Sequence, residues 1–234
     1  MIIIYIEDVL LKLKTDPDMI LDVGCGRGET TYLLKQRFRR KKVLSLDMEK
    51  LVLEYMRDKG LNENVIRGRG TALPIKTESV DLLVCDQVIE HIVEENELIA
   101  EIVRVVKPGG YIIVGSVMRK RFVISIYKGR NGKFALSPDH VREYENKDEF
   151  IVWFKDHFKI HDISLYPVRF SLIITVMRFL AMFGLVKDVP SISRYLVARH
   201  QFLASLVIPR IGFNFIYLIG QKIDRRNKVS KIIF

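Results

Sequence analysis

A chain of 234 residues, 49% apolar and 28% charged, is long enough for one large domain with a substantial core. That composition, with 14 Gly and 7 Pro, excludes disordered and fibrous classes, and only two cysteines, Cys25 and Cys85, exclude a disulfide framework. The net charge of +10 is uneven, since residues 1–118 hold 17 basic and 19 acidic side chains and residues 119–234 hold 21 and 9. A basic half beside a near-neutral one fits nucleic acid or anionic lipid, and equally a solvated basic face.

The N-terminal run MIIIYIEDVLLKLK has no basic leader and places Glu7 and Asp8 directly after its short apolar stretch. It does not read as a signal peptide, so a cytoplasmic location is expected. Strand patterns follow at Met19–Val23, Lys42–Asp47, Asn64–Arg67, Val80–Cys85 and Tyr111–Gly115, with helical patterns at Glu29–Arg39, Glu49–Lys59 and Glu95–Val106 between them. Lys107-Pro108-Gly109-Gly110 reads as a helix stop and a turn. This alternation predicts a Rossmann-like α/β fold, a mostly parallel sheet with helices on both faces. Later come a helix at Lys147–His157 and strands at Lys159–Val168 and Gly212–Lys222. Between those strands, Ser171–Val186 and Ser191–Ile208 are helix-compatible, but Arg178, Arg194 and Arg199 interrupt them, so neither has the pattern of a membrane span.

The segment ILDVGCGRGET carries the strongest signal. A strand ends at Val23, glycines occupy positions 24, 26 and 28, and a helix begins near Glu29. Glycines permit a sharp turn and close approach of a ligand to the main chain, and a helix N-terminus offers unpaired N–H groups. A dinucleotide fingerprint needs glycine at position 29, where Glu29 stands, and no Lys-Ser/Thr pair closes a phosphate loop. Asp22 would repel a pyrophosphate and suits a cationic ligand. Nineteen residues after Gly28, Asp47 ends the second strand, where a carboxylate accepts ribose hydroxyls. The implied ligand is a nucleoside with a cationic or zwitterionic tail, which describes S-adenosylmethionine.

Four ordered blocks, ILDVGCGRG, LSLDMEK, GRGTALPIKTESVDLLVCDQVIEHI and IVRVVKPGGYIIVGS, resemble the class I S-adenosylmethionine-dependent methyltransferases of the type 11, small-molecule branch. The likeness covers roughly residues 19–117 and extends loosely through DHVREY. It implies a seven-stranded sheet whose last strand runs antiparallel, with a helical insertion over 171–208. The chain is then one methyltransferase domain over 1–234, with a cofactor-binding half (1–118) and a substrate half (119–234). By the same resemblance, Asp22 and the loop of Gly24, Cys25, Gly26 and Gly28 hold the methionine end, and Asp47 holds the ribose. Met48 packs on adenine, and Asp86 and Gln87 lie near the methionine moiety. Relatives place an adenine-binding Asp before Leu-Pro, but Gly68–Pro74 contains no carboxylate, so Gly70, Thr71 and Ala72 are expected to meet adenine through backbone and hydroxyl groups.

A catalytic base is expected at the C-terminal edge of the sheet, where His140, His91 and Tyr144 are candidates; packing roles compete for each. Cys25 and Cys85 read as packing residues, Glu90, Glu94, Glu95 and Glu97 as the solvated side of a helix, and no metal site is expected. The acceptor is expected to be a small hydrophobic molecule of quinone, isoprenoid or lipid type, admitted under the 171–208 insertion at a peripheral membrane contact. The alternative is an RNA-directed or nucleic-acid-binding protein that uses the basic half, although its charges are not interleaved with aromatics.

Overall fold

The computed structural model describes residues 3–123, 132–171 and 207–224, with isolated positions at 127, 128, 130, 176, 180, 184 and 185. Helix α1 (Ile3–Lys12) precedes strand β1 (Met19–Val23), and α2 (Glu29–Arg37) leads to β2 (Lys42–Asp47). Next come α3 (Lys50–Asp58), β3 (Val65–Arg67), β4 (Val80–Asp86), a single 3-10 turn (Ile89–His91) and α4 (Glu95–Val105). The chain continues through β5 (Val106–Arg119), the two-residue strands β6 (Tyr127–Lys128) and β7 (Phe134–Ala135), and α5 (Lys147–Ile151). It closes with β8 (Phe158–Ser171) and β9 (Val207–Lys222).

Seven strands form one sheet in the order β3-β2-β1-β4-β5-β9-β8. β3 through β5 pair in parallel, whereas β9 runs antiparallel to both β5 and β8. The expected sheet and its antiparallel last strand are therefore present. Side-chain alternation divides the sheet into two cores. Leu21, Val23, Leu83, Cys85, Ile112 and Val114 pack under α4, and Ile20, Val43, Leu82, Val84 and Ile113 pack under α1 and α2. On α4, Leu98, Ile99, Ile102 and Val105 lie on one stripe and are buried. Burial of each such side chain contributes about 1.5–3 kcal/mol.

Several local expectations need correction. The N-terminal run is a helix, because Tyr5, Ile6, Val9 and Leu10 repeat at helical spacing and bury one face against the sheet. Residues 107–110 are not a free turn. They bulge out of β5 opposite Asp81, as the pairing passes from Val80–Val106 to Leu82–Tyr111. The helix expected over Lys147–His157 stops at Ile151, and turns carry the chain on to His157. Phe150, Phe154 and Phe158 hold this segment in place by burying edge-to-face rings.

β8 extends to Ser171 and β9 begins at Val207, so Ser171, Val207 and Ile208 belong to strands rather than to the expected helical insertion. The rest of that insertion lies outside the described residues, apart from Val176 and Leu180, which are helical, and Gly184 and Leu185. Among the described residues no helix is long and apolar enough to cross a membrane.

Candidate active site

The C-terminal ends of β1, β2 and β4 open onto a cavity of about 680 Å³, in the size range of small-molecule sites. Its β2 side is built around the glycine loop. Gly24, Gly26 and Gly28 all have positive φ (70°, 50° and 87°), a conformation that favours glycine. A Cβ on Gly24 would lie 2.3 Å from Val88 Cγ2, so this turn also needs the missing side chain for close approach. The N–H groups of Gly24 and Cys25 donate to the Leu46 carbonyl at 2.8 and 3.0 Å. The Gly26 N–H donates to Asp47 Oδ2 at 3.0 Å, and the Glu49 N–H donates to Asp47 Oδ1 at 2.9 Å. These loop amides thus fix the shape of the cradle and the rotamer of Asp47, whose carboxylate keeps further lone pairs for a ligand.

Of the residues expected to bind cofactor, Gly24, Asp47, Met48, Gly70, Thr71 and Gln87 line this cavity. Met48 is 56% exposed, an apolar surface left uncovered beside the carboxylate. Asp22 lies beneath the loop rather than on the wall. Its Oδ2 accepts from Thr31 Oγ1 at 2.5 Å, and Thr31 and Asn62 both meet the Ser45 hydroxyl at 2.8 Å. Burial drives the Asp22 carboxyl up to about 7, against the Thr31 hydrogen bond and with help from Asp86 and Asp47. Cys25 is buried with its Sγ against Met56 Sδ, and burial raises its thiol further out of reach of ionisation. Cys25, Gly26, Gly28, Ala72 and Asp86 are not on the cavity wall. The Ala72 N–H is committed to the Arg69 carbonyl and the Leu73 N–H to Glu101, so neither amide is open to a ligand. Glu49 adds a second carboxylate to the β2 side of the wall that the sequence reading did not pick out.

The β4 side differs in kind. Gln87 has φ 57°, a strained setting for a side chain of its size, and its N–H donates to the Gly115 carbonyl at 3.0 Å. Five buried side-chain atoms lack a hydrogen-bond partner among the described residues: Asp86 Oδ1, Gln87 Nε2, Glu90 Oε1, Glu143 Oε2 and Tyr217 Oη. All of them belong to this side. The Tyr217 hydroxyl and the Gln87 amide stand near Asp86 without an aligned bond; burial raises the Asp86 carboxyl to about 6, and these two neighbours partly offset it.

The chain reversal at 139–144 docks on the turn after β4. Val141 N–H donates to the Glu90 carbonyl at 2.8 Å, and the Arg142 guanidinium binds the carbonyls of Ile89 (3.0 Å), Ile92 and Val93 (2.9 Å). This docking brings His140 against His91, with ring centroids 4.9 Å apart. His91 lines the cavity with Asp139, which its Nδ1 meets at 3.2 Å. Burial and the neighbouring His140 hold the His91 imidazole below its usual range, against the pull of Asp139. His140 is buried behind it, with Nδ1 2.7 Å from Glu143 Oε1. Burial alone would lower its basicity, but Glu143 and Glu90 outweigh that and raise it.

Two expectations fail on this side. Tyr144 is in the core, 5% exposed, with its hydroxyl bonded to Glu95 and its ring against Phe150, so it is a packing residue rather than a catalytic one. Glu90 and Glu95 do not solvate a helix. Both are buried, Glu90 completely, and burial lifts the Glu90 carboxyl to about 7 despite its backbone hydrogen bond, His140 and Ser116. Residues 90 and 140 stand fifty positions apart in the sequence, and only the fold brings them together.

The methyltransferase domain family of type 11 matches residues 21–114, the segment that builds both sides of this cavity. Over these residues the chain is similar to methyltransferase domains. A Mycolicibacterium smegmatis protein named "Probable S-adenosylmethionine-dependent methyltransferase" is 32% identical over 124 residues, 53% of this chain and 45% of that protein. The malonyl-[acyl-carrier protein] O-methyltransferase of Marinomonas is 25% identical over 174 residues, 72% of this chain and 61% of that enzyme. The chain thus spans between about half and three-fifths of these two relatives' lengths. Among solved structures, YcgJ from Bacillus subtilis superposes with a TM-score of 0.63 at 16% identity, covering 94% of this chain and 99% of that one. Geranyl diphosphate C-methyltransferase from Streptomyces coelicolor superposes at 0.58 and 14%, covering 94% and 77%. At those identities the superpositions establish the fold alone, a Rossmann-like sheet.

Proposed function

We propose that the chain transfers the methyl group of S-adenosylmethionine to a small acceptor with an apolar body and a polar, oxygen-bearing head. The supporting observation is the continuity of the cavity. From Asp47, Met48 and Gly70 it runs past Gln87 to an apolar wall of Val88, Ile92 and Val93, and it ends among His91, Asp139 and Arg130. The residues fit the cofactor. Asp47 offers a fixed carboxylate to ribose hydroxyls, Met48 an apolar face to adenine, and Gln87 an unpartnered amide beside the glycine loop. When bound, S-adenosylmethionine supplies an electrophilic methyl group on a sulfonium centre.

The chain's own task is alignment and exclusion of water, since displacement at a sulfonium needs the acceptor held in line more than it needs acid–base help. Val88, Ile92 and Val93 desolvate the acceptor, and Arg130 and His91 orient its head. The malonyl and geranyl diphosphate acceptors in the names of two similar proteins share this combination of carbon body and ionised oxygen. The sequence of the 172–206 segment, rich in apolar residues and carrying Arg178, Arg194 and Arg199, is the basis for proposing contact with an anionic membrane surface.

A methyl-transfer assay with isotopically labelled S-adenosylmethionine tests the reading across quinol, isoprenoid and acyl acceptors, with sugars, nucleotides and RNA as controls. Label is expected in the apolar class. Label in RNA alone would contradict it.

A further inference from the structure

The β4 side gathers a ligand set that no single stretch of sequence contains. A carboxylate oxygen of Glu90 and one ring nitrogen from each of His91 and His140 lie within 4.8 Å of one another. The two segments are clamped by the Val141–Glu90 backbone bond and by Arg142, so the grouping belongs to the fold rather than to loose side chains. Ligands at 2.0–2.2 Å from a tetrahedral ion stand about 3.3–3.6 Å apart, so these atoms, all within 4.8 Å of one another, need to close by no more than about 1.5 Å.

Two further observations point to a cation. Each histidine has its Nδ1 against a carboxylate, His91 at 3.2 Å from Asp139 and His140 at 2.7 Å from Glu143. A carboxylate on Nδ1 fixes the tautomer and leaves Nε2 with a lone pair, the arrangement that orients metal-binding imidazoles. Glu90, in addition, is completely buried. Its Oε2 accepts from Ser116 at 3.0 Å, and its Oε1 has no partner. A buried carboxylate oxygen without a donor is costly unless a proton or a cation takes it, and two imidazoles at this distance offer a cation its other ligands.

We propose that Glu90, His91 and His140 bind one divalent transition-metal ion of the zinc class, with its remaining coordination positions open to the cavity. Two imidazoles and one carboxylate favour Zn²⁺ or Co²⁺ over Mg²⁺ or Ca²⁺, which prefer oxygen alone. Because His91 lines the cavity, the ion stands at the acceptor end, where it holds an oxygen of the acceptor head. That last role rests on the methyl-transfer reading, whereas binding of the ion does not.

The test is titration of chelator-treated, full-length protein with Co²⁺, followed by visible absorption, with Zn²⁺ as competitor. Saturation at about one Co²⁺ per chain, reversed by Zn²⁺ and weakened at least tenfold in both Glu90→Gln and His91→Ala, is expected. His91→Ala alters a partly exposed side chain and remains informative if Glu90→Gln does not fold. Absence of a saturable signal, or unchanged affinity in folded His91→Ala, overturns the site. S-adenosylhomocysteine is titrated into the same metal-free sample by calorimetry. Cofactor binding without Co²⁺ binding removes the metal site and leaves the enzyme reading intact, and the reverse result removes the enzyme reading and leaves the metal site.

Discussion

The two sides of the cavity are built on opposite principles. On the β2 side, Gly24, Cys25 and Gly26 donate to Leu46 and Asp47, and both Asp47 oxygens have donors. On the β4 side, all five orphaned buried atoms collect around Asp86, Glu90 and Glu143, and Gln87 sits at positive φ. A pre-satisfied cradle favours a ligand that adds to existing contacts, as a nucleoside does. A buried region with unmet polar groups stores unfavourable free energy that a ligand relieves, as expected where an acceptor head or a cation is held.

The largest test of this contrast is Asp47→Ala. It removes the charged acceptor for two ribose hydroxyls, at about 1.5–3 kcal/mol each, so S-adenosylhomocysteine should bind at least roughly a hundredfold more weakly by calorimetry. An unchanged dissociation constant in a folded variant would show that the β2 side is not the nucleoside cradle.

Next in size is the pH dependence of Asp22. Its folded carboxyl titrates near 7 instead of 3.8, so the folded chain holds the proton longer than the unfolded one. The resulting stability is fully present below about pH 4 and is lost as pH rises through 7. At about 1.36 kcal/mol per unit, the loss is on the order of 4 kcal/mol. Asp22→Asn, which does not titrate, should gain on the wild type in thermal melts between pH 5 and pH 8. A difference constant across that window would show that Asp22 is already ionised.

Gly24→Ala should cost roughly 1–3 kcal/mol, from the positive φ and the 2.3 Å approach to Val88. That corresponds to about 2–4 °C of melting temperature per kcal/mol, with weaker cofactor binding. Equal melting temperatures would mean that the loop relaxes freely and is not a fixed cradle.

The smallest effect is expected at Tyr144→Phe. Loss of the hydroxyl bonded to Glu95 should lower stability by about 1–2 kcal/mol while leaving cofactor affinity unchanged. A large fall in turnover without loss of stability would return Tyr144 to the catalytic group.

The contrast also explains what the sequence could reveal. The β2 side was legible because its parts are local: strand, alternate glycines and helix lie within eleven residues, and Asp47 ends the next strand. The parallel part of the sheet followed from the β/α alternation. The β4 side was not legible, because Glu90 and His140 meet only through the Arg142 clamp across about fifty residues of chain. Glu90 and Glu95 also sat in an acidic run with Glu94 and Glu97 that imitates a solvated helix, and the structure buries only the first two. Helix α1 was overlooked for a related reason. Its apolar stripe was weighed only as a leader, although its partner surface lies on distant strands.

Calorimetric titration of the full-length protein with S-adenosylmethionine and S-adenosylhomocysteine, with NAD as the control, tests the central claim most directly. Saturable binding of about one equivalent of each sulfur nucleoside, with none for NAD, is predicted by a cradle that presents Asp47 and lacks a pyrophosphate-binding glycine at position 29. No saturable binding of either sulfur nucleoside, or equal binding of NAD, would contradict it.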